Sequence, residues 1–95
     1  MSLRQYFNLC ESFEREPNTE LFGRIVAGAD VLSRSQKELA VQFEVAESTV
    51  SRWAKGYARP HPRLQKYVVS KLKTQASRAM KAAERHAEVE RPAFV

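Results

Sequence analysis

The stretch from Gln36 to Lys55 constrains the fold most. Its apolar residues are spaced as on two short amphipathic helices, and the helical spacing is interrupted once between them. The residues that share a helix face within each phase are Leu39, Ala40 and Phe43, followed by Val50 and Trp53. Ser35 and Glu38 form a capping box, in which each side chain accepts a hydrogen bond from an unpaired backbone N–H. The sequence therefore predicts one helix that begins near Gln36, a connection containing Val45, and a second short helix.

Two helices of about eight residues joined by three or four residues are the layout of a helix-turn-helix, whose second helix enters a DNA major groove. The sequence resembles the phage repressor and Cro-like helix-turn-helix family at the opening glutamine, the small residue at the helix crossing, the core positions, the recognition helix and its exit loop. The residues that carry the resemblance are Gln36, Leu39, Ala40, Val45, the run from Ser48 to Trp53, Lys55, Gly56 and Pro60. The resemblance implies an all-α, lambda-repressor-like fold over residues 19–72.

Two residues depart from the family pattern, both near the turn. Glu44 stands where the family usually has glycine, and Ala46 stands where it favours a capping Ser, Thr or Asp. A left-handed residue with a side chain costs roughly 1 kcal/mol, and a missing cap costs about the same. A packed motif can tolerate both losses.

Length and composition limit the classes of protein that this chain can form. At 95 residues it can build one domain with a modest core, and its three glycines and lack of long alternating apolar segments favour an all-α fold. No apolar run is long enough for a transmembrane helix or a secretory signal, so we expect a soluble, cytoplasmic protein. Cys10 is the only cysteine, which excludes an internal disulfide and a thiolate zinc site.

The sequence has no pattern typical of an enzyme. It contains no nucleophile with a matching base, no carboxylate pair on a common face and no phosphate-binding loop. His61 and His86 have no second ligand with which to complete a metal site, so they are interpreted as loop and surface residues. We therefore predict no catalytic residue, no metal and no cofactor, and no small-molecule effector because the chain has no room for an effector domain.

The net charge of +5 is modest, but its distribution is strongly uneven. No Asp or Glu occurs between Ser48 and Ala83, whereas the first twenty residues hold four Glu against two Arg. The cations of the carboxylate-free stretch are Arg52, Lys55, Arg59, Arg63, Lys66, Lys71, Lys73, Arg78 and Lys81. Such a concentration of cations indicates a surface for a polyanion, and it begins at the predicted recognition helix.

We expect three parts: an N-terminal accessory helix over residues 1–17, the helix-turn-helix domain over 18–73, and an extension over 74–95. Ser2 and Gln5 form a second capping pair. The apolar residues that follow at helical spacing are Leu3, Tyr6, Phe7, Cys10 and Phe13. This face either packs on the core of its own domain or forms a dimer surface. Residues 2–16 and 64–87 both have surplus amphipathic surface, so which of them forms a dimer contact is open, and the bulk of the N-terminal face makes it our first choice.

The helix after Pro17 can be capped by Asn18 or Thr19, and its apolar residues predict that it runs as far as Leu32. Gly23 and Gly28 oppose helix propensity by about 1 kcal/mol each. We interpret the two glycines as positions where another helix approaches closely.

Past the predicted recognition helix, Gly56 suits a left-handed C-cap and Pro62 suits the first turn of a further helix. Apolar residues continue that helix at least to Leu72. Residues 74–90 are rich in alanine, which gives helix propensity but little burial, so they predict either a long protruding helix or a frayed basic tail. The last five residues are predicted to be disordered.

The resemblance places candidate DNA contacts on the recognition helix and around it. The candidates for reading base edges are Glu47, Ser48, Thr49 and Arg52. The candidates for binding phosphates are Gln36, Ser51, Lys55, Tyr57, Arg59 and Arg63. Three assignments have alternatives: Arg52 can contact a phosphate instead of guanine, Glu47 can simply stabilise the helix N-terminus, and Gln36 can be a surface residue without a DNA contact. Trp53 is assigned to the core rather than to base stacking.

The leading functional prediction is a sequence-specific double-stranded DNA-binding regulator, most simply one that represses by occluding a promoter. A repressor of a phage or mobile element and an antitoxin-like autoregulator both fit this prediction. A single helix-turn-helix reads few base pairs, so we expect a homodimer on a palindromic operator with half-sites about 34 Å apart. The alternative is an interaction protein that uses the same fold and basic surface to bind an acidic protein or RNA.

Overall fold

The computed structural model describes residues 1–89, and the side chains as far as Arg85. The described residues form helices joined by turns and contain no strand, which confirms the all-α class. The elements are α1 (Leu3–Arg15), α2 (Thr19–Ala27), a 3-10 helix (Gly28–Leu32), α3 (Gln36–Gln42), α4 (Glu47–Lys55) and α5 (Pro62–Val89). The predicted disorder of the last five residues concerns a segment outside the described part.

Helix α1 begins at the predicted capping box. The Gln5 backbone N–H donates to Ser2 Oγ over 3.1 Å, and the Ser2 N–H donates to Gln5 Oε1 over 2.8 Å. Tyr6, Cys10 and Phe13 are buried against α2 and α5. The core-packing alternative is therefore confirmed for these three residues, whereas Leu3 and Phe7 of the same face are only partly buried and the choice of α1 as a dimer contact stays a prediction.

Helix α2 ends earlier than predicted. Asn18 caps its start by accepting from the Leu21 N–H over 2.8 Å, but the α-helix stops at Ala27 and residues 28–32 continue as a 3-10 helix. The Tyr6 hydroxyl, buried beside this break, donates to the Ile25 carbonyl oxygen over 2.8 Å. That carbonyl belongs to the last turn of α2, where an α-helix leaves carbonyl groups without helical partners.

Both glycines of this region lie where another helix comes close, as predicted. A Cβ atom on Gly23 would be 3.1 Å from the Trp53 carbonyl oxygen, so α2 and α4 are in near backbone contact. A Cβ atom on Gly28 would be 3.4 Å from the Tyr6 ring. The contact at Gly23 is shorter than ordinary van der Waals distance and explains why a residue with poor helix propensity occupies that position, whereas the distance to the Tyr6 ring would leave room for a Cβ atom at position 28.

Aromatic rings connect α1, α2 and α4 through the centre of the core. The Phe22 ring lies 6.5 Å from Phe13 and 5.6 Å from Trp53, measured between ring centroids. Trp53 is only 4% exposed, which confirms its assignment to the core. The recognition-helix candidate is thus held by the same cluster that packs α1.

Helix α5 resolves the open prediction for the C-terminal extension, because it runs from Pro62 through Val89 without interruption. His61 precedes it as an unexpected cap, with its Nδ1 accepting from the Arg63 N–H over 3.1 Å. Buried residues occur along α5 as far as Ala76, and every residue from Lys81 to Arg85 is exposed. None of the helices in the described part has the length and hydropathy needed to cross a membrane.

Candidate nucleic-acid interface

The candidate surface is built on α3, residues 43–46 and α4. Ser35 caps α3 with the predicted box, since the Glu38 N–H donates to Ser35 Oγ over 3.1 Å and the Glu38 carboxylate accepts from the Ser35 N–H. Glu44 has the left-handed backbone predicted for the turn, with φ of 57°. Ala46 precedes α4 with no side-chain hydrogen bond, so the amides at the start of α4 have no side-chain cap.

The orientation of α4 is fixed by its two buried residues. Val50 and Trp53 face α2 and α3, with 0% and 4% exposure. At about 100° per residue, Ser48, Arg52 and Lys55 lie along the opposite side of the helix. All three are exposed, so α4 presents a polar ridge with two cations to solvent.

The predicted base-reading residues are not equally accessible. Glu47, Ser48 and Arg52 are exposed, whereas Thr49 is partly buried at the side of the helix. Ser51, predicted to bind phosphate, is also partly buried. The ridge of α4 is therefore formed mainly by Ser48 and Arg52, with Glu47 at the helix start.

The predicted phosphate contacts flank this ridge on two sides. Gln36 is exposed at the start of α3. On the other side, Gly56 adopts a left-handed C-cap with φ of 77°, and the chain then leads through Tyr57 and Arg59 to Arg63. These three side chains are exposed, and 80% of Tyr57 is accessible.

Sequence reasoning missed one part of this surface. Glu20 and Arg24 of α2 line a shallow groove together with Lys55 and Gly56. Because α2 packs closely on α4 through Gly23, these side chains lie beside the C-terminal end of α4. No local pattern connects residues so far apart in the chain, and only the helix packing brings them together.

The titratable groups with shifted pKa values lie outside this surface. Burial raises the pKa of the Cys10 thiol to about 12, and burial also raises the pKa of Tyr6. The hydrogen bond that Lys73 donates to Glu14 raises the pKa of this lysine. Among the residues that the structure describes, no three His, Cys, Asp or Glu side chains are grouped as a metal site would require. The chemistry of the α3–α4 surface is thus charge and hydrogen bonding.

This surface combines an exposed helix that carries two cations, further cations in the segment that follows α4, and a neutral hydrogen-bonding side chain at the start of α3. Such groups can contact the phosphates and base edges of a nucleic acid. Comparisons with protein-family models, with curated proteins and with solved structures find no significant match to this chain.

Proposed function

We propose that the chain is a sequence-specific double-stranded DNA-binding regulator with a lambda-repressor-like helix-turn-helix, in which α4 enters the major groove. One observation carries the proposal: Val50 and Trp53 anchor α4 on the core, so Ser48, Arg52 and Lys55 project from its free side. A helix held by one face and polar on the other suits insertion into a groove about 12 Å wide.

Each exposed residue of α4 has a chemically matched partner in duplex DNA. The Arg52 guanidinium can donate two hydrogen bonds to guanine, and the Glu47 carboxylate can accept from a cytosine amine. Ser48 can reach a base edge or a phosphate. Thr49 and Ser51 are proposed to contribute from the sides of the helix, through a thymine methyl group and a phosphate respectively.

The surrounding residues are proposed to position α4 by binding phosphates. Gln36 lies at the start of α3, where its amide and the free backbone N–H groups can both donate to a phosphate. On the opposite flank, Lys55, Tyr57, Arg59 and Arg63 supply further donors. Such contacts fix the register of the protein on DNA without specifying sequence.

We further propose that two copies bind a palindromic operator and repress by covering a promoter. One α4 reads only a few base pairs, whereas two copies one helical turn apart give useful specificity. Because Tyr6, Cys10 and Phe13 of α1 are buried in the core of their own chain, we propose that the second copy is bound mainly through residues 64–87.

The proposal is tested by comparing Arg52→Ala with Arg59→Ala and Arg63→Ala, on a duplex selected from a random library and on random duplex. Loss of a base contact at Arg52 should cost about 1 to 3 kcal/mol on the selected site and much less on random DNA. Loss of Arg59 or Arg63 should weaken both duplexes equally. Each lost phosphate contact should reduce the slope of log affinity against log salt by about 0.9, doubled in a dimer.

Two outcomes would contradict these assignments. Equal losses on both duplexes for Arg52→Ala would make Arg52 a phosphate contact and move base recognition to Glu47, Ser48 and Thr49. No effect from any of the three substitutions, in folded protein, would show that α4 is not the helix in the groove.

A further inference from the structure

The outward face of α5 carries a line of exposed side chains, of which the proposed recognition of DNA by α4 uses Arg63 alone. At about 100° per residue, seven residues fall within an arc of about 80°, on the side opposite the buried Val69, Leu72 and Ala76. This outer stripe consists of Arg63, Tyr67, Lys71, Thr74, Arg78, Lys81 and Arg85, and all seven are exposed.

The outer stripe is cationic and has no carboxylate within it. In the part of the chain that the structure describes, the ion pairs are Lys73 with Glu14 and Arg34 with Glu38, and neither includes a stripe residue. Glu84, the described carboxylate of α5, lies about 100° around the helix from the line. Lys71 rests over the Tyr67 ring at 5.5 Å, a contact that leaves its charge uncompensated.

We propose that the outer stripe binds the phosphate backbone of duplex DNA next to the site held by α4. This inference rests on the proposed function, and it adds a second contact surface to it. The stripe starts at Arg63, already assigned to a phosphate, and continues from there without an acidic interruption.

The length of the stripe indicates that its partner is a polymer rather than a compact anion. From Arg63 to Arg85 the helix rises about 33 Å, close to one turn of duplex DNA. Duplex DNA carries one negative charge per about 1.7 Å of its axis, so every cation along that length has phosphates nearby. A compact anion can reach only one or two of these cations, whereas a duplex neutralises all of them.

The test removes two stripe charges and compares the result with the removal of two charges elsewhere. The stripe variant is Arg78→Ala with Arg85→Ala, and the matched control is Arg4→Ala with Arg15→Ala on α1, all four residues being exposed. Alanine favours helix, so both variants should fold. A third variant, Arg78→Lys with Arg85→Lys, keeps the charges.

Binding is measured against salt on two duplexes: one that spans only the α4 sites, and one extended by a helical turn at each end. On the extended duplex the stripe variant should lose about 1.8 from the salt slope per protomer, equivalent to about 30-fold in affinity at 0.15 M salt. The lysine variant and the α1 control should retain the wild-type slope. The short duplex should bind the stripe variant and the wild type alike.

Several results would overturn the inference. A stripe variant with the wild-type slope on the extended duplex would show that the stripe does not contact DNA. Equal losses on the two duplexes would place the contacts inside the α4 site. If the stripe variant lost binding to poly-L-glutamate but kept wild-type binding to both duplexes, the stripe would be assigned to an acidic protein partner. If the wild type bound neither duplex, the proposed function itself would fail, which is a separate and distinguishable result.

Discussion

Giving α4 the side-chain cap that it lacks should stabilise the protein. Ala46 is exposed and has φ of −70° and ψ of 149°, close to the backbone of the capping residues Ser2 and Ser35. In Ala46→Ser, the new hydroxyl can accept from the Thr49 N–H, as Ser35 Oγ accepts from Glu38 at 3.1 Å. An N-cap is typically worth about 1 kcal/mol. The Thr49 N–H already donates to the Ala46 carbonyl oxygen over 3.0 Å, so we expect a gain of about 0.5 to 1 kcal/mol.

Urea unfolding gives the free energy of unfolding for Ala46→Ser and for its counterpart, Ser35→Ala. The counterpart removes an existing cap from α3 at an equally exposed position and should lose about 1 kcal/mol. The two variants should shift the unfolding midpoint in opposite directions with the same dependence on denaturant. A gain of 1 kcal/mol corresponds to roughly 4 to 8 °C in Tm for a domain of this size.

A third variant links the cap to the proposed function. Ala46→Asp provides the same cap and a charge that favours the helix N-terminus, so it should also be stabilising. The added carboxylate should nevertheless repel phosphates and weaken binding to every duplex, whereas Ala46→Ser should bind normally. The reasoning is refuted if Ala46→Ser gives no gain while Ser35→Ala is clearly destabilised, because α4 would then not begin after residue 46.

Three further substitutions test the packing of the core. Tyr6→Phe removes the donor to the Ile25 carbonyl and should lower the free energy of unfolding by about 1 to 2 kcal/mol in urea. Gly23→Ala should be destabilising by about 1 kcal/mol, because overpacking against the Trp53 carbonyl outweighs the gain in helix propensity. The same substitution should weaken DNA binding, because the added methyl group displaces α4. Burial raises the Cys10 pKa from its ordinary value of 9.0 to about 12, so the unfolded chain loses this proton first. The stability that the thiol contributes is therefore complete below pH 9 and falls as the pH rises towards 12. Urea unfolding between pH 8 and pH 11 should show this decline, with a smaller slope in Cys10→Ala.

Features that depend on neighbouring residues could be predicted from the sequence. The capping boxes at Ser2 and Ser35 need only a side chain three residues later, and both form as predicted. The left-handed backbone of Gly56 follows from a glycine placed just after a helix, whereas that of Glu44 was implied by the family resemblance. Local patterns therefore located most helix boundaries.

Features that depend on tertiary contacts could not be predicted in this way. The end of α2 at Ala27 coincides with a hydrogen bond from Tyr6, a residue on another helix. Periodicity identified the apolar face of α1, but it does not say whether that face meets its own core or a second copy. The cap provided by His61 was missed because histidine is not among the residues that usually cap helices.

In the candidate site, too, some features follow from the local sequence and others depend on tertiary contacts. The outward direction of Ser48 and Arg52 follows directly from the inward positions of Val50 and Trp53, so it could be derived from spacing. The partial burial of Thr49 depends instead on how closely α4 packs on its neighbours. The same packing brings Glu20 and Arg24 of α2 beside Lys55. The base pairs proposed to be contacted by α4 follow neither from spacing nor from packing, because base recognition also depends on the shape of the DNA.

The central claim, that α4 reads duplex DNA, is tested most directly by selecting binding sites from a random duplex library with the full chain. We expect one enriched motif, arranged as two inverted half-sites about one helical turn apart, and a selected duplex bound about 10³-fold or more tightly than random duplex at physiological salt. Single-stranded DNA and RNA should bind no better than random duplex. Recovery of no motif, with equal affinity for random duplex and single strands, would contradict the claim.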